Sequence, residues 1–378
     1  MLKVLELFGG IGACTQALKN LKIDFEIADY VEIDKYAVKS YNAINSTTFE
    51  PQDIKTWDKN IDVDLIMHGS PCQDFSIAGK GAGGDLGSGT RSSLMYETLR
   101  IVEKLKPKYI IFENVKNLLS KKHKHNFESY ITYLDNLGYN SYYKVLNTKD
   151  YGVPQNRERI YCVSIRKDID NYIFKFPEPE ELQIKLKDLL EENVEEKYYL
   201  SDNIVNKILS VHIGQFDKVG IDLNDKKSLE RDVTSTIRAR YDCGYEHFTP
   251  GPTGVIVKNN NKQGYDIADV GDSINLSFPN STTRRGRVGH QVAQTIQTSD
   301  VQGVVDKEIR IRKLTPKECW RLMSFKDVDV DKCIAIGISN SQLYKQAGNS
   351  IVVKVLEKIL NNLLGVKNDY WRRLWNKT

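Results

Sequence analysis

The sequence predicts an α/β protein, with a mostly parallel sheet covered on both faces by helices and a smaller, mixed or β-rich domain inserted late in the chain. Three observations predict it. Over about residues 1–170, short apolar runs alternate with amphipathic segments of helical period, as in successive β-α-β units. From "FPEPEEL" onward the chain turns polar and broken, with "NNNKQG" and "FPNSTTRRGRVGH" reading as loops. After residue 308 helical patterning returns. The expected organisation is residues 1–171, an inserted domain over 172–305, and 306–378 completing the first domain.

Each element has its own signal. "LKVLELF" (2–8) is a short buried strand that runs into the turn "GGIG", and "ACTQALKNL" has helical spacing. "FEIADYVEID" reads as strand and loop, and "KYAVKSYNAI" as helix. "VDLIMHG" is another buried strand, and "SSLMYETLRIVEKLK" an amphipathic helix closed by Pro107. "KYIIFENV" is a strand, "FESYITYLDNLG" a helix stopped by Gly138, and "RIYCVSIR" a further strand. Late in the chain Thr315 and Pro316 form an N-cap followed by proline at the first helical position. "SIVVKVLEKILNNLL" is apolar on one face and should pack back on the first domain.

Composition bounds the function. Of 378 residues 40 % are apolar, enough for a sizeable core and against disorder. Lys and Arg total 54 against 50 Asp and Glu, so a basic surface must come from local clustering. The six cysteines form no CxxC pair and have no zinc-finger spacing with histidine, which suits a reducing cytosol and predicts no metal. No run approaches the eighteen apolar residues of a membrane span, and the N-terminus does not read as a secretory signal. The protein is expected to stay in the cell that makes it, without a membrane partner.

The first turn looks built for a nucleotide-like ligand. At the C-terminal edge of a parallel sheet such ligands sit where the strand order reverses. Gly10 and Gly12 are present, but Thr15 breaks the G-x-G-x-x-G pattern of pyrophosphate binders. Glu32, twenty residues after Gly12, can accept ribose hydroxyls, and Asp53 can bind an adenine amino group. A glycine turn with a ribose acid and no phosphate cradle suits S-adenosylmethionine; an ordinary tight turn with solvated acids fits the same residues.

Cys72, in "GSPCQDFS", emerges at that edge after the strand "VDLIMHG". A free cysteine is commonly a small buried hydrophobe. Here Pro71 stiffens its approach, and "AGKGAGGDLGSGTR" follows as a flexible loop suited to a lid. Glu113 ends the next strand at the same edge, making a thiolate–carboxyl pair. "QNRER" adds Arg157 and Arg159, which can fix a carboxylate, a phosphate or a base oxygen, or join a surface salt-bridge network.

Together these segments resemble the cytosine-5 DNA methyltransferases, in the family's order and over its whole catalytic domain. "LFGGIG" is similar to the F-x-G-x-G cofactor turn, with Phe8, Gly10 and Gly12 matching. "GSPCQDFS", "FENVKNLL" and "QNRERIY" resemble the Pro-Cys-Gln, Glu-Asn-Val and Gln-x-Arg-x-Arg motifs, and "RKLTPKECWRLMSF" and "YKQAGNSIVV" two late motifs. The resemblance implies a Rossmann-like S-adenosylmethionine-dependent fold, and Glu32, Ile33, Asp53, Ile54, Pro71, Leu94, Asn349 and Ile351 as further cofactor residues. It makes the inserted domain a target-recognition domain.

It also implies a mechanism. The Cys72 thiolate attacks carbon 6 of cytosine, Glu113 holds ring nitrogen 3, and Arg159 holds the base oxygen, with Arg157 supporting the loop or its phosphates. The ring is out of reach in a duplex, so the base must be flipped out. Gln73, Ser76, Lys80 and Arg91 are then lid contacts to DNA; Arg238, Arg240, Arg284, Arg285, Arg287 and Thr295 are contacts from the inserted domain. The implied partner is double-stranded DNA, with any cognate restriction endonuclease acting separately. The implied setting is a monomer in a bacterial cytoplasm or nucleoid, or a phage-encoded enzyme. An RNA cytosine-5 methyltransferase and a catalytically silent DNA-binding regulator are the alternatives. A nicotinamide oxidoreductase rests only on the first turn.

Overall fold

The computed structural model describes residues 1–71, 91–208, 254–262, 264–281, 283–308 and 310–365. Contacts divide the chain into two compact units: Met1–Val153, Arg157–Glu181 and Met323–Thr378 form one, Pro154–Asn156 and Leu182–Leu322 the other. These divisions fall at other residues than the expected 171 and 305, most visibly in placing 306–322 with the second unit.

In the first unit the elements run β1 (Leu2–Leu7), α1 (Ala13–Asn20), β2 (Phe25–Val31), α2 (Lys35–Asn45), β3 (Leu65–His68), α3 (Met95–Leu105), β4 (Tyr109–Val115), α4 (Lys124–Asn136) and β5 (Tyr139–Asn147). The two-residue β6 (Gln155–Asn156) belongs to the second unit, and β7 (Glu158–Arg166) returns to the first. Local chemistry sets the ends: the Asp34 carboxylate caps α2 by accepting from the backbone of Tyr36 and Ala37, and Gly138 stops α4 at φ 89°.

The six-stranded sheet has the order β2-β1-β3-β4-β7-β5. Strands β1 to β4 pair in parallel, while β7 is antiparallel to both β4 and β5. Because β1 has β2 on one side and β3 on the other, the order reverses at the first turn, where a ligand crevice opens. The expected mostly parallel sheet is present, with two additions. Strand β5 was not among the expected elements, since as an edge strand it buries few of its residues and carries no apolar run. It is followed by only a short 3-10 turn (Thr148–Tyr151) and no α-helix, so β7 turns back against the parallel direction.

Both faces are covered. Leu5, Ile66, Phe112, Ile160 and Cys162 form one core with Leu99, Val102, Phe127 and Tyr130 of α3 and α4. Their strand neighbours Val4, Leu65, Met67, Ile111 and Val163 are equally buried on the opposite face. There α9 (Val353–Leu364) joins α1, with Asn20 donating to Glu357 at 2.6 Å, as the pattern of the last helix predicted. Along the chain α9 follows α7 (Asp327–Ala335) and α8 (Asn340–Asn349).

The second unit holds α5 (Asp202–Ile208), the hairpin β8 (Gly254–Lys258)–β9 (Tyr265–Asp269), β10 (Ser273–Asn275), β11 (Val288–Gly289), β12 (Ala293–Gln294), β13 (Gln302–Val305), β14 (Ile311–Lys313) and α6 (Pro316–Arg321). A four-stranded sheet runs β11-β10-β13-β14, so the unit is β-rich. Thr315 caps α6 in a reciprocal capping box with Glu318. Glu318 also pairs bidentately with buried Arg312 at 2.7 and 2.8 Å and accepts from the Glu191 backbone. That buried pair, with β14 zipped to β13, is why 306–322 lie with the second unit. Among the described residues no helix is long and apolar enough to cross a membrane.

Candidate active site

Register places the chemistry at one edge. Leu7 aligns with His68, and His68 with Phe112, so the turn after β1, the residues after β3 and the end of β4 leave the sheet side by side. Because β7 is antiparallel, it begins where β4 ends: Arg159 faces Val115. A parallel β7 would have put Arg159 at the far edge.

Cys72 lies outside the described residues, as do Gln73, Ser76, Lys80, Arg238 and Arg240, and the Arg91 side chain is not described either. The approach to Cys72 is visible up to Pro71. Asn114 Nδ2 donates to the Ser70 carbonyl at 3.1 Å and approaches its hydroxyl at 3.3 Å, tying the end of β4 to the strand end that carries Pro71. Asn114 is a site residue the sequence reading passed over, although it sits inside "FENV" beside Glu113.

Glu113 and Arg159 meet as diagonal cross-strand neighbours, with Nε 3.2 Å from Oε1 and side chains only 10 % and 14 % exposed. The approach is an ion pair without hydrogen-bond alignment, so Oε1 has no hydrogen-bond donor among the described residues. Burial pushes the Glu113 carboxyl above its usual range, and Arg159 and then Arg157 pull it partly back. Arg157 has a different job. It is 3 % exposed, and its guanidinium donates to the Ser350 carbonyl at 2.8 Å and the Gly348 carbonyl at 3.3 and 3.4 Å. It holds the end of α8 from inside, in a supporting position.

A cleft opens beside this edge, lined by Phe8, Gly9, Gly10, Gly69, Asn349 and Ile351 among others, with Glu6 and Cys14 at its base. Gly10, at φ 54°, faces open space, with no atom within 4 Å of where a Cβ would stand. At Gly9 a Cβ would lie 2.5 Å from the Tyr30 ring, which stacks on Tyr41 at 3.9 Å and whose hydroxyl donates to the Gly10 carbonyl. The glycine turn therefore rests on a tyrosine shelf that the sequence reading did not foresee. Gly12 is the N-cap of α1. Glu32 accepts from the backbone of Gly10 at 3.1 Å and Asp34 at 2.8 Å, one bond per oxygen, and burial raises its pKa. Ile33 beside it is 67 % exposed.

Gly12, Glu32 and Ile33 are not among the residues that line the cleft, and neither are three further expected cofactor residues. Asp53 accepts from the backbone of Lys55 and starts the turn to Trp57, buried Ile54 has its carbonyl held by Arg100, and Leu94 packs on the core below α3. None of the three is among the residues lining the cleft.

In the second unit, Arg287 is fully buried, with its guanidinium on the carbonyls of Asn275, Ser277 and Phe278. It braces the loop instead of reaching DNA, correcting its expected role. Arg285 is exposed and Arg284 half-buried. The Thr295 hydroxyl donates to the Asn156 carbonyl at 2.9 Å, and the Ile296 N–H donates to buried Gln155, so the Thr295–Ile296 pair is anchored on "QN".

Comparison with known proteins decides the family. The family model for C-5 cytosine-specific DNA methylases matches residues 2–365. The chain belongs to this family. It is 33 % identical to the Type II methyltransferase M2.ScrFI of Lactococcus lactis subsp. cremoris, over 96 % of this chain and 99 % of that protein. It is 31 % identical to the orphan methyltransferase M.SPRI of Bacillus phage SPR, over 96 % and 97 %. Its fold is shared with DNMT2 of Spodoptera frugiperda in a mutant form, at TM-score 0.62 and 21 % identity, over 96 % of this chain and all of that one.

A cytosine-5 methyltransferase depends on S-adenosylmethionine, and the residues present fit it. The Glu32 carboxylate, held by the Gly10 and Asp34 backbone, is an acceptor suited to ribose hydroxyls. The open face of Gly10 leaves room for close approach, and among the described residues the cleft lining carries no Lys or Arg to seat a phosphate. Phe8, Gly10, Asn349 and Ile351 line that cleft as the family's motifs imply.

Proposed function

We propose that this methyltransferase methylates carbon 5 of a cytosine flipped out of a specific duplex DNA sequence, through a covalent adduct with Cys72. The observation that carries the reading is the buried Glu113–Arg159 pair at the sheet edge where β3 delivers Pro71 and then Cys72. S-adenosylmethionine, when bound, supplies an electrophilic methyl group. The chain's own residues do the rest.

Carbon 5 of cytosine is too weak a nucleophile unaided. Attack of the Cys72 thiolate at carbon 6 breaks the ring's aromaticity and makes carbon 5 an enamine-like nucleophile. Burial raises the Glu113 pKa and so favours the protonated carboxyl, which can donate to ring nitrogen 3 as that atom gains electron density on addition of the Cys72 sulfur. Arg159, with guanidinium N–H groups beyond the one facing Glu113, holds the base oxygen. Once carbon 5 carries the methyl group, it loses its proton to water, the sulfur leaves carbon 6, and aromaticity returns. Arg157 positions the Gly348 and Ser350 carbonyls, supporting the site from behind.

The second unit reads the sequence, with Arg284 and Arg285 as DNA contacts and Thr295 near the flipped nucleotide. Arg238 and Arg240 add to this surface, and Gln73, Ser76, Lys80 and Arg91 form the lid over the substrate. The enzyme works as a monomer, and any cognate endonuclease is a separate protein. The test is bisulfite sequencing of DNA from cells expressing the protein. Methylated cytosines confined to one sequence context support the reading. Unmethylated DNA, with tritiated methyl appearing only in RNA, overturns it.

A further inference from the structure

The loop between β10 and β11 carries an apolar side chain that the fold does not use. Phe278 is 74 % exposed. A single exposed apolar residue is ordinary. Three features set Phe278 apart. Its backbone sits at φ 49°, a left-handed conformation that favours glycine or asparagine and costs a bulky residue strain. That conformation is enforced: the Phe278 carbonyl accepts from buried Arg287 at 2.8 Å and from the Ser281 N–H at 3.0 Å. Finally, the Arg284 guanidinium lies 5.9 Å from the centre of the ring, and Arg285, next in sequence, is exposed.

The loop is also pinned from the β8–β9 hairpin. The Asn260 N–H donates to the Arg284 carbonyl at 2.9 Å, and the Gly286 N–H to the Asn259 side chain at 3.0 Å. Arg287 works from inside, gathering the carbonyls of residues 275, 277 and 278. A strained, braced loop that holds a phenyl ring out in water, with one arginine near its face, gains little for stability. Strain of this kind persists where function needs it.

We propose that Phe278 is a DNA contact, an apolar wedge that the Arg287-braced loop presents to the duplex. The arginines supply attraction to phosphates, and the ring supplies an apolar face that packs against a base step or sugar edge once water is excluded. Duplex DNA is the occupant because the Arg284 guanidinium lies by the ring and the exposed Arg285 follows it in the same loop. The inference rests on the proposed action on duplex DNA.

The test is fluorescence anisotropy with a short labelled duplex carrying the sequence that bisulfite mapping identifies. Phe278→Ala should weaken binding about tenfold, as for loss of one aromatic–base contact, and leave the slope of affinity against salt unchanged, since no phosphate contact is lost. Phe278→Trp should bind as the wild type does. Arg287→Met should lose affinity to a similar degree while S-adenosylmethionine binding, measured by calorimetry, persists in the first unit. Phe278→Ala binding within twofold of wild type overturns the inference. So does a loss confined to self-association in sedimentation, which would make the ring a contact between copies of the chain. Should the wild type leave duplex DNA unmethylated, the functional reading fails, and the same wild-type to Phe278→Ala binding ratio, measured on a labelled duplex of random sequence, decides the role of Phe278.

Discussion

Arg159 stands one diagonal step from Glu113 across the β4–β7 pair, its Nε 3.2 Å from a carboxylate oxygen that has no hydrogen-bond donor among the described residues. The pair exists because β7 runs against the parallel strands. It sets an acid whose proton is held by burial beside a cation that opposes that hold. Removing either partner should therefore change both the rate and its pH dependence.

Glu113→Ala should lower kcat about 10²- to 10³-fold, the usual loss for a preorganised group that stabilises developing charge. Burial raises the Glu113 pKa, so its proton leaves at higher pH than from a free carboxyl, and rate is lost on the alkaline side. Arg159→Ala removes the cation that lowers that pKa and should move the loss to still higher pH. A pH profile of single-turnover methyl transfer checks this; an alkaline limb unmoved in Arg159→Ala contradicts it.

Arg157 is bonded to backbone carbonyls at the cleft wall, so its loss should be felt as binding and stability. Arg157→Met leaves the Ser350 and Gly348 carbonyls without their charged donor and should cost about 2 kcal/mol or more. The KM for S-adenosylmethionine should rise more than kcat falls. Denaturant melts and initial rates check it, and a fall in kcat at unchanged KM would return Arg157 to the chemistry.

Gly9→Ala should damage the cofactor turn. The new methyl would stand 2.5 Å from Tyr30, whose ring is fixed by stacking on Tyr41. Overpacking of this kind costs about 1–3 kcal/mol. Calorimetric titration should show weakened S-adenosylmethionine binding, partly restored when Tyr30→Leu is added. Normal binding by Gly9→Ala alone would show that the shelf yields.

Glu6 lies buried at the base of the cleft, accepting from the Thr15 backbone at 2.9 Å and from the Thr15 hydroxyl. Burial pushes its pKa up from the usual 4.5 to about 7. The folded state thus holds the proton more tightly than the unfolded chain. That contribution is fully present below pH 4.5 and is lost as pH rises through about 7. The shift corresponds to about 3 kcal/mol. Glu6→Gln should flatten the decline in stability across this window, measured by urea melts at a series of pH values. An unchanged decline would place the titrating group elsewhere.

Much of the site was legible because its residues end strands. Glu113, Phe8 and Gly10 sit at the edge that β-α-β alternation predicts. What escaped depends on partners distant in sequence. The tyrosine shelf under Gly9 needs β2 and α2 to be placed before it can be seen. Arg287 looked like a surface cation in "TTRRGRVGH", and only the folded loop shows its carbonyl partners. Strand β5 hid because an edge strand with few buried residues carries no apolar run. Arg157 and Arg159, two apart and alike in sequence, divide their roles because one side chain is turned onto the wall of the cleft and the other onto Glu113.

The central claim is that the sulfur of Cys72 bonds to the target base. The most direct measurement is trapping on duplex DNA containing 5-fluorocytosine, whose fluorine blocks the loss from carbon 5 that releases the enzyme. The account predicts a denaturation-resistant complex in the presence of S-adenosylmethionine, with mass spectrometry placing the bond on Cys72, and neither complex nor methyl transfer from Cys72→Ser. Full turnover by Cys72→Ser, or a trapped bond on another residue, would contradict it.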